Sequence, residues 1–79
     1  MTDRITNAYI QDERHIHQIM IQVYDALCEK GYDPMNQIVG YILTEDPTYI
    51  TTHNNARSQI RKIDRNMLLQ TVIKCFLDK

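Results

Sequence analysis

The sequence predicts an all-α fold, a compact bundle of about four helices preceded by a flexible N-terminal tail. Apolar residues recur at three- and four-residue spacing in several separate segments, which is the period of a helix with one buried face. Between those segments stand Gly31, then Asp33-Pro34, then Asp46-Pro47, which are typical of the end of one helix and the start of the next. We therefore expect residues 1–11 to form the tail and residues 12–79 to form one helical domain.

The first predicted helix covers residues 12–30. Asp12 and Glu13 near its start and Lys30 at its end have the charges that favour the two poles of the helix dipole. Its apolar stripe is continuous over about three turns, so one face is expected to be buried. The stripe consists of Ile16, Ile19, Met20, Val23, Ala26 and Leu27.

The second predicted helix covers residues 34–44. Gly31 suits the left-handed residue that ends the helix before it, Asp33 is a good N-cap, and Pro34 suits the first helical position. Gly40 lies inside this helix and costs up to about 1 kcal/mol relative to alanine. It is either a site of close approach by another backbone, such as that of a second copy, or a simple weak point. The apolar face comprises Met35, Ile38, Val39, Ile42 and Leu43.

The segment after the second helix is expected to form one short turn and then a third helix. Asp46 and Pro47 begin the turn, and Tyr49 and Ile50 fill the space beneath it. Thr51 or Thr52 is expected to cap a helix that continues to about Asp64. The buried positions of this helix are predicted to be Ala56, Ile60 and Ile63.

The fourth predicted helix, about residues 66–78 with Asn66 as its cap, is apolar over more than half of its circumference. Such a helix is usually buried on two sides, and a chain of 79 residues is near the size at which one core is only marginally sufficient. Both points favour a homodimer formed through the fourth helix and the region of Gly40. The expected interface residues are Gly40, Leu69, Ile73 and Phe76.

Charge is distributed unevenly along the chain. Residues 1–50 contain three basic and eight acidic residues, whereas residues 51–79 contain six basic and two acidic ones. We interpret this pattern as attraction between the two halves, within a protomer or across a dimer. The overall net charge of −1 argues against stable nucleic-acid binding.

Residue spacing does not favour catalysis or metal binding. His15 and His17 would point to opposite sides of a helix, His53 stands alone, and no Cys-x-x-Cys pair exists. There is no glycine-rich phosphate loop and no spacing typical of a catalytic group. Cys28 and Cys75 are interpreted as reduced thiols of a cytoplasmic protein, and no apolar run approaches the ~20 residues that span a membrane. We expect no enzyme, no cofactor, no metal and no membrane insertion.

Arg57, Arg61 and Arg65 are spaced four residues apart and predict a ridge of guanidinium groups along one helix face. One interpretation is a solvated face that is partly paired with acidic residues. A second is a docking strip for phosphate or for an acidic partner, because arginine binds such groups bidentately. A third is a helix-turn-helix-like nucleic-acid-binding or adaptor protein that uses the same arginines. A purely structural interaction module is a further alternative.

Several short segments of the chain match the pattern of one known family. They are Val23-Tyr24-Asp25-Ala26-Leu27, Glu29-Lys30-Gly31-Tyr32, Pro34, Asn36-Gln37-Ile38-Val39-Gly40-Tyr41, Asp46-Pro47, Tyr49-Ile50, Ala56-Arg57, Ile60-Arg61-Lys62 and Arg65. Through these segments the chain resembles the IreB regulatory phosphoprotein family, also met as YrzL-like proteins. The likeness is distinctive from Glu29 to Tyr41, good over about residues 20–66, and carried by pattern through the last helix.

The resemblance implies a small cytosolic all-helical homodimer without enzymatic activity. It implies that the chain is a substrate of a membrane-anchored PASTA-domain Ser/Thr kinase and that the partner phosphatase reverses the phosphorylation. It also implies a role in cell-envelope stress responses and in resistance to cell-wall antibiotics such as cephalosporins. The family carries its phosphorylated threonines in the N-terminal tail, where Thr6 matches best and Thr2 is a second candidate. This chain departs from the family pattern at Ala8, where a basic residue is usual, and at Glu45, where glycine is usual.

Overall fold

The computed structural model describes residues 13–78, and the elements in this range are helices and turns. Four α-helices follow in order: α1 (Glu13–Glu29), α2 (Pro34–Thr44), α3 (Ala56–Arg61) and α4 (Arg65–Leu77). Two 3₁₀ turns, Pro47–Tyr49 and His53–Asn55, lie between α2 and α3. The all-helical prediction is confirmed. The predicted tail with Thr2 and Thr6 lies outside the described residues, as do residues 12 and 79.

The turn between α1 and α2 forms as its residues predict. Gly31 has a φ of 84°, and its N–H donates to the carbonyl of Cys28 at 3.0 Å. The N–H of Tyr32 donates to the carbonyl of Leu27 at 3.0 Å, which completes the double hydrogen bond of a Schellman helix end. Asp33 then caps α2, because its Oδ1 accepts from the N–H of Asn36 at 3.3 Å. Local chemistry is sufficient to set this boundary.

The third helix is shorter than predicted. Asn54 and Asn55 have φ values of 53° and 61°, in the left-handed region, so a continuous helix from Thr51 or Thr52 is wrong and α3 begins at Ala56. The predicted cap of the last helix is also wrong. Asp64, not Asn66, caps α4, because its Oδ1 accepts from the N–H of Asn66 at 3.1 Å.

Helix α1 contributes more residues to the core than any other described element. Its predicted stripe is buried except for Met20, which is half-buried, and α2, α3 and the second 3₁₀ turn pack against it. The predicted buried positions of the third helix are confirmed. The core consists of Ile16, Ile19, Val23, Ala26, Leu27, Ile38, Tyr41, Ile50, Ala56, Ile60, Ile63 and Leu68.

Helix α2 buries a narrower face than its sequence predicts. Ile38 and Tyr41 are buried and Ile42 is half-buried, but Met35 is 62% exposed and Leu43 is 74% exposed. This helix packs on α1 along one edge, so part of its apolar face stays in contact with solvent. The apolar pattern alone does not distinguish the covered edge from the uncovered one.

Gly40 faces a side chain of its own chain. A Cβ atom built on Gly40 would lie 2.6 Å from Cδ1 and 2.9 Å from Cζ of Tyr49. The aromatic ring therefore rests on the bare backbone of α2, and the first 3₁₀ turn is held against that helix. Neither alternative offered for Gly40, a close backbone or a simple weak point, describes this contact.

The acidic and basic halves of the chain attract each other within the protomer, as one interpretation of the charge pattern expects. Lys74 Nζ lies 2.6 Å from Glu13 Oε2, Arg65 Nε lies 2.9 Å from Glu45 Oε2, and His53 Nε2 lies 2.7 Å from Glu29 Oε1. Each contact joins a carboxylate before residue 50 to a basic side chain after it. The hydrogen bond that Lys74 donates to the Glu13 carboxylate raises the pKa of Lys74, and the negative charge of Glu13 raises it further.

Candidate functional site

The three arginines do not form a ridge along one helix. Arg57 and Arg61 belong to α3, whereas Arg65 is the first residue of α4. The chain turns at residues 62–64, where Asp64 starts the new helix, so the expected four-residue spacing does not continue on one surface. The prediction of a single arginine face is therefore wrong, and each guanidinium group has its own surroundings.

Arg57 and Arg65 both hold backbone carbonyl groups. Arg57 Nε donates to the carbonyl of Ile50 at 2.8 Å, and Arg65 Nη1 donates to the carbonyl of Ile42 at 2.7 Å. Both bonds are partly buried. Since a hydrogen bond from a charged group is worth about 1.5–3 kcal/mol, each of these arginines contributes to the fold as well as to the surface.

The side chain of Arg61 is exposed and makes no hydrogen bond or ion pair with any other residue in the range 13–78. It lies at the edge of a polar cleft of about 310 Å³, which we call the Tyr41–Arg65 cleft. Arg65 and Glu45 also line this cleft, and their side chains form an ion pair. The cleft is lined by Tyr41, Glu45, Pro47, Arg61, Ile63 and Arg65.

Tyr41 is the buried polar residue among those that line this cleft, with only 8% of its surface exposed. Its hydroxyl has no hydrogen-bond partner among the described residues, yet it is not sealed from solvent. Burial raises the pKa of Tyr41, while the guanidinium groups of Arg61 and Arg65 lower it and Glu45 raises it further. The hydroxyl therefore stays protonated at neutral pH and remains available as a donor.

Sequence reasoning did not identify Tyr41 as a site residue. A signal was present, because Tyr41 follows Ile38 by three residues on α2 and combines an apolar ring with a polar tip. A second signal was the four-residue spacing between Tyr41 and Glu45, which places the two side chains on the same side of the helix end. Only the position of α4 against this end reveals that both residues meet Arg65.

The chemistry of the cleft suits anion binding. Arg61, Arg65 and the Tyr41 hydroxyl present hydrogen-bond donors, and two of the three carry a full positive charge.

Within residues 13–78 there is no cluster of three or more histidine, cysteine or acidic residues able to hold a metal ion. Cys28 and Cys75 are exposed free thiols.

The residues expected at a dimer interface lie on two helices. Leu69 and Ile73 are exposed on α4, and Phe76 is 87% exposed near its end, whereas Gly40 lies on α2 beneath the Tyr49 ring. A second apolar surface is an open groove of about 450 Å³ between α1, α2 and α4. The groove is lined by His17, Met20, Ile21, Tyr24, Met35, Ile38, Val39, Ile42 and Val72.

Over the part of the chain that the structure describes, no helix combines the length and the apolar character needed to cross a membrane.

Two surface features indicate the class of protein. Exposed apolar side chains on α4 are typical of a surface that binds another protein, and the Tyr41–Arg65 cleft offers hydrogen-bond donors to an anion. The family model described as IreB regulatory phosphoprotein matches residues 2–78. A curated relative, a UPF0297 protein of Acetivibrio thermocellus, is 56% identical over 62 residues, which are 78% of this chain and 69% of the relative. The chain belongs to the IreB regulatory phosphoprotein family, as its motifs predict.

Proposed function

We propose that this chain is a small cytoplasmic regulatory phosphoprotein that works by contact with other proteins and has no enzymatic activity. The single observation that carries this proposal is the family match over residues 2–78, which includes Thr2 and Thr6 as well as the helical domain. The donor-rich Tyr41–Arg65 cleft supports the same conclusion, because it is suited to recognising charge.

The proposed input is phosphorylation of Thr6, with Thr2 as the second candidate, by a membrane-anchored PASTA-domain Ser/Thr kinase. The partner phosphatase removes the phosphate. The proposed output is a change in cell-envelope stress response and in resistance to cell-wall antibiotics. These assignments rest on the family to which the chain belongs and on the threonines present before residue 12.

The proposed mechanism is electrostatic. A phosphate on Thr6 adds about −1.5 to −2 charges, and arginine binds phosphate oxygens in pairs of hydrogen bonds. The tail then docks on the surface that carries Arg61 and Arg65, which line one cleft. Arg61 is the member of this set that has no partner within residues 13–78, so it is the first candidate for the contact.

Phosphosite mapping tests the proposal. After incubation of the full chain with the kinase and ATP, mass spectrometry is expected to find phosphate on Thr6, and that signal is expected to vanish in the Thr6→Ala variant. The Thr2→Ala variant serves as the matched control and is expected to retain it. A chain that gains no phosphate before residue 12 would contradict the proposed input.

The rival function, a helix-turn-helix-like nucleic-acid-binding protein, is less well supported. Helix α3 has only six residues, and two of the three arginines donate to backbone carbonyl groups. Gel shifts at low salt separate the two hypotheses, since binding driven by nucleic-acid phosphates weakens steeply as salt rises.

We also propose that the chain is a homodimer in which the exposed side of α4 is covered. The exposed apolar side chains of α4 support this, because a contiguous apolar strip in water favours association. The proposed interface residues remain Gly40, Leu69, Ile73 and Phe76.

The Phe76→Glu variant is expected to raise the dimer dissociation constant by about 30-fold or more, because it removes an aromatic side chain that the proposed interface buries and adds a charge. Sedimentation equilibrium measures the change. Tyr32→Glu is the matched control, since Tyr32 is an exposed aromatic residue in the turn between α1 and α2. A dimer that is equally tight in Phe76→Glu, or a wild-type chain that is monomeric at every concentration, would remove α4 as the interface.

A further inference from the structure

We propose that the Tyr41–Arg65 cleft is a binding site for a phosphorylated threonine side chain, and that Glu45 is its built-in competitor. In the unliganded chain the carboxylate of Glu45 pairs with Arg65, and a phosphate dianion displaces it. This inference rests on the proposed function for the identity of the ligand and adds the residues and the regulation of its site.

Three side chains that line the cleft can donate hydrogen bonds to an anion. Arg61 presents a guanidinium group with no partner among residues 13–78, and the nine-tenths-buried Tyr41 presents an unpaired hydroxyl. Arg65 is fixed in place because its Nη1 is bound to the carbonyl of Ile42. A guanidinium group carries five N–H donors, so this bond and the bond to Glu45 leave others for a ligand.

Glu45 is placed to compete with such a ligand. It ends α2 in the left-handed conformation, with a φ of 62°, and its N–H donates to the carbonyl of Tyr41 at 2.7 Å. This geometry holds the side chain at the mouth of the cleft, where Oε2 lies 2.9 Å from Arg65 Nε. A left-handed residue other than glycine, asparagine or aspartate is uncommon, and here it carries the carboxylate that faces the arginine.

The Glu45–Arg65 pair is weak enough to be exchanged. The side chains are 38% exposed for Arg65 and 61% exposed for Glu45, and ion pairs with this much access to water contribute little. A phosphate group carries up to twice the charge of a carboxylate and a third acceptor oxygen. It has acceptor oxygens for Arg61, Arg65 and Tyr41, which line the same cleft, whereas Glu45 pairs with Arg65.

The test is a binding titration of the full-length chain with a fluorescent peptide that has the sequence of residues 1–12 and phosphothreonine at Thr6. Anisotropy measures the dissociation constant, and the unphosphorylated peptide is the reference. Arg61→Gln is expected to weaken binding by about tenfold or more, and Tyr41→Phe by about threefold. Lys62→Gln is the matched control for lost charge, because Lys62 is exposed next to Arg61 but does not line the cleft.

Glu45→Gln is the variant that tests the competitor. It removes the charge but keeps the size of the side chain and its left-handed backbone, so binding of the phosphopeptide is expected to tighten by about two- to fivefold. Glu45→Gly is expected to tighten it similarly and to remove the strain as well. Equal or weaker binding by Glu45→Gln overturns the competitor role. Failure of the phosphopeptide to bind more tightly than the unphosphorylated one overturns the site.

Two sources of the phosphothreonine are distinguished with the full chain phosphorylated at Thr6. Loss of binding to the added peptide supports occupation of the cleft by the chain's own tail. Unchanged binding overturns that source and assigns the cleft to a separate phosphorylated protein. Because the peptide is synthetic, the titration of the unmodified chain does not depend on whether the kinase modifies Thr6, so the cleft and the proposed function fail separately.

Discussion

Replacing Ile50 with alanine is expected to lower the free energy of unfolding by about 3 kcal/mol, which is a large fraction of the stability of so small a domain. Ile50 has 0% of its surface exposed and stands between the two 3₁₀ turns, where the chain crosses back toward α1. Truncation leaves a cavity among residues that α1 and α3 hold in place. The carbonyl of Ile50 still accepts from Arg57, so the loss reports packing alone.

Urea denaturation followed by circular dichroism measures this loss, with all variants compared at one protein concentration. Ile50→Val is the matched control and is expected to cost about 1 kcal/mol, because it removes only one methylene group. A loss below about 1 kcal/mol for Ile50→Ala would mean that the connecting segment is not part of the core.

Replacing Gly40 with alanine is expected to destabilise the chain by about 1 kcal/mol, although alanine is the better helix former. Alanine gains about 1 kcal/mol from helix propensity, but its Cβ would collide with the Tyr49 ring, and such overpacking costs about 1–3 kcal/mol. The ring is 36% exposed, so it can move outward at the expense of its contact with α2.

In the Tyr49→Ala background, the effect of Gly40→Ala on the free energy of unfolding is expected to change sign. Without the aromatic ring, Gly40→Ala is expected to stabilise the chain by up to about 1 kcal/mol through propensity alone. A double-mutant cycle from four denaturation curves yields the coupling between the two residues. Coupling near zero would contradict the contact between Gly40 and the Tyr49 ring.

The helix boundaries near residues 31–34 and 46–47 could be predicted because the residues that set them are close together in the sequence. Gly31 supplies a positive φ, and Asp33 and Asp46 bind N–H groups two or three residues ahead. The apolar stripe of α1 could be predicted equally well, because this helix packs against the other elements along one face and its buried residues therefore follow the helical period. Such features need no knowledge of distant parts of the chain.

The start of α3 could not be predicted because distant contacts hold it. Gln22 Nε2 donates to the carbonyl of Asn54 at 2.9 Å, and Asn54 Nδ2 lies 3.4 Å from Glu29 Oε1. These bonds from α1 accompany the left-handed conformation of Asn54, which a local pattern of threonine followed by helix-compatible residues does not reveal. This error placed the start of the helix too early. A separate error, the missed cap at Asp64, kept Arg65 on the same predicted face as Arg57 and Arg61.

The candidate site was predicted in part. Arg61 and Arg65 do line one cleft, but Tyr41 and Glu45 were assigned to the site only once α2 was seen against the start of α4. Helix spacing places residues on a face, whereas a cleft between two helices depends on how they cross. Binding by the predicted arginines, phosphorylation of Thr6 and Thr2, and dimer formation stay predictions.

The exposed apolar side of α4 also has a consequence for colloidal behaviour. The chain has a net charge of −1 at pH 7 and an isoelectric point near 6.2, so electrostatic repulsion between molecules is weak while Phe76 and its neighbours remain in contact with water. Proteins with little net charge and a bare apolar strip precipitate readily near their isoelectric point. A phosphate adds negative charge in the same pH range, so phosphorylated chains are expected to stay dissolved at higher concentrations than unmodified ones.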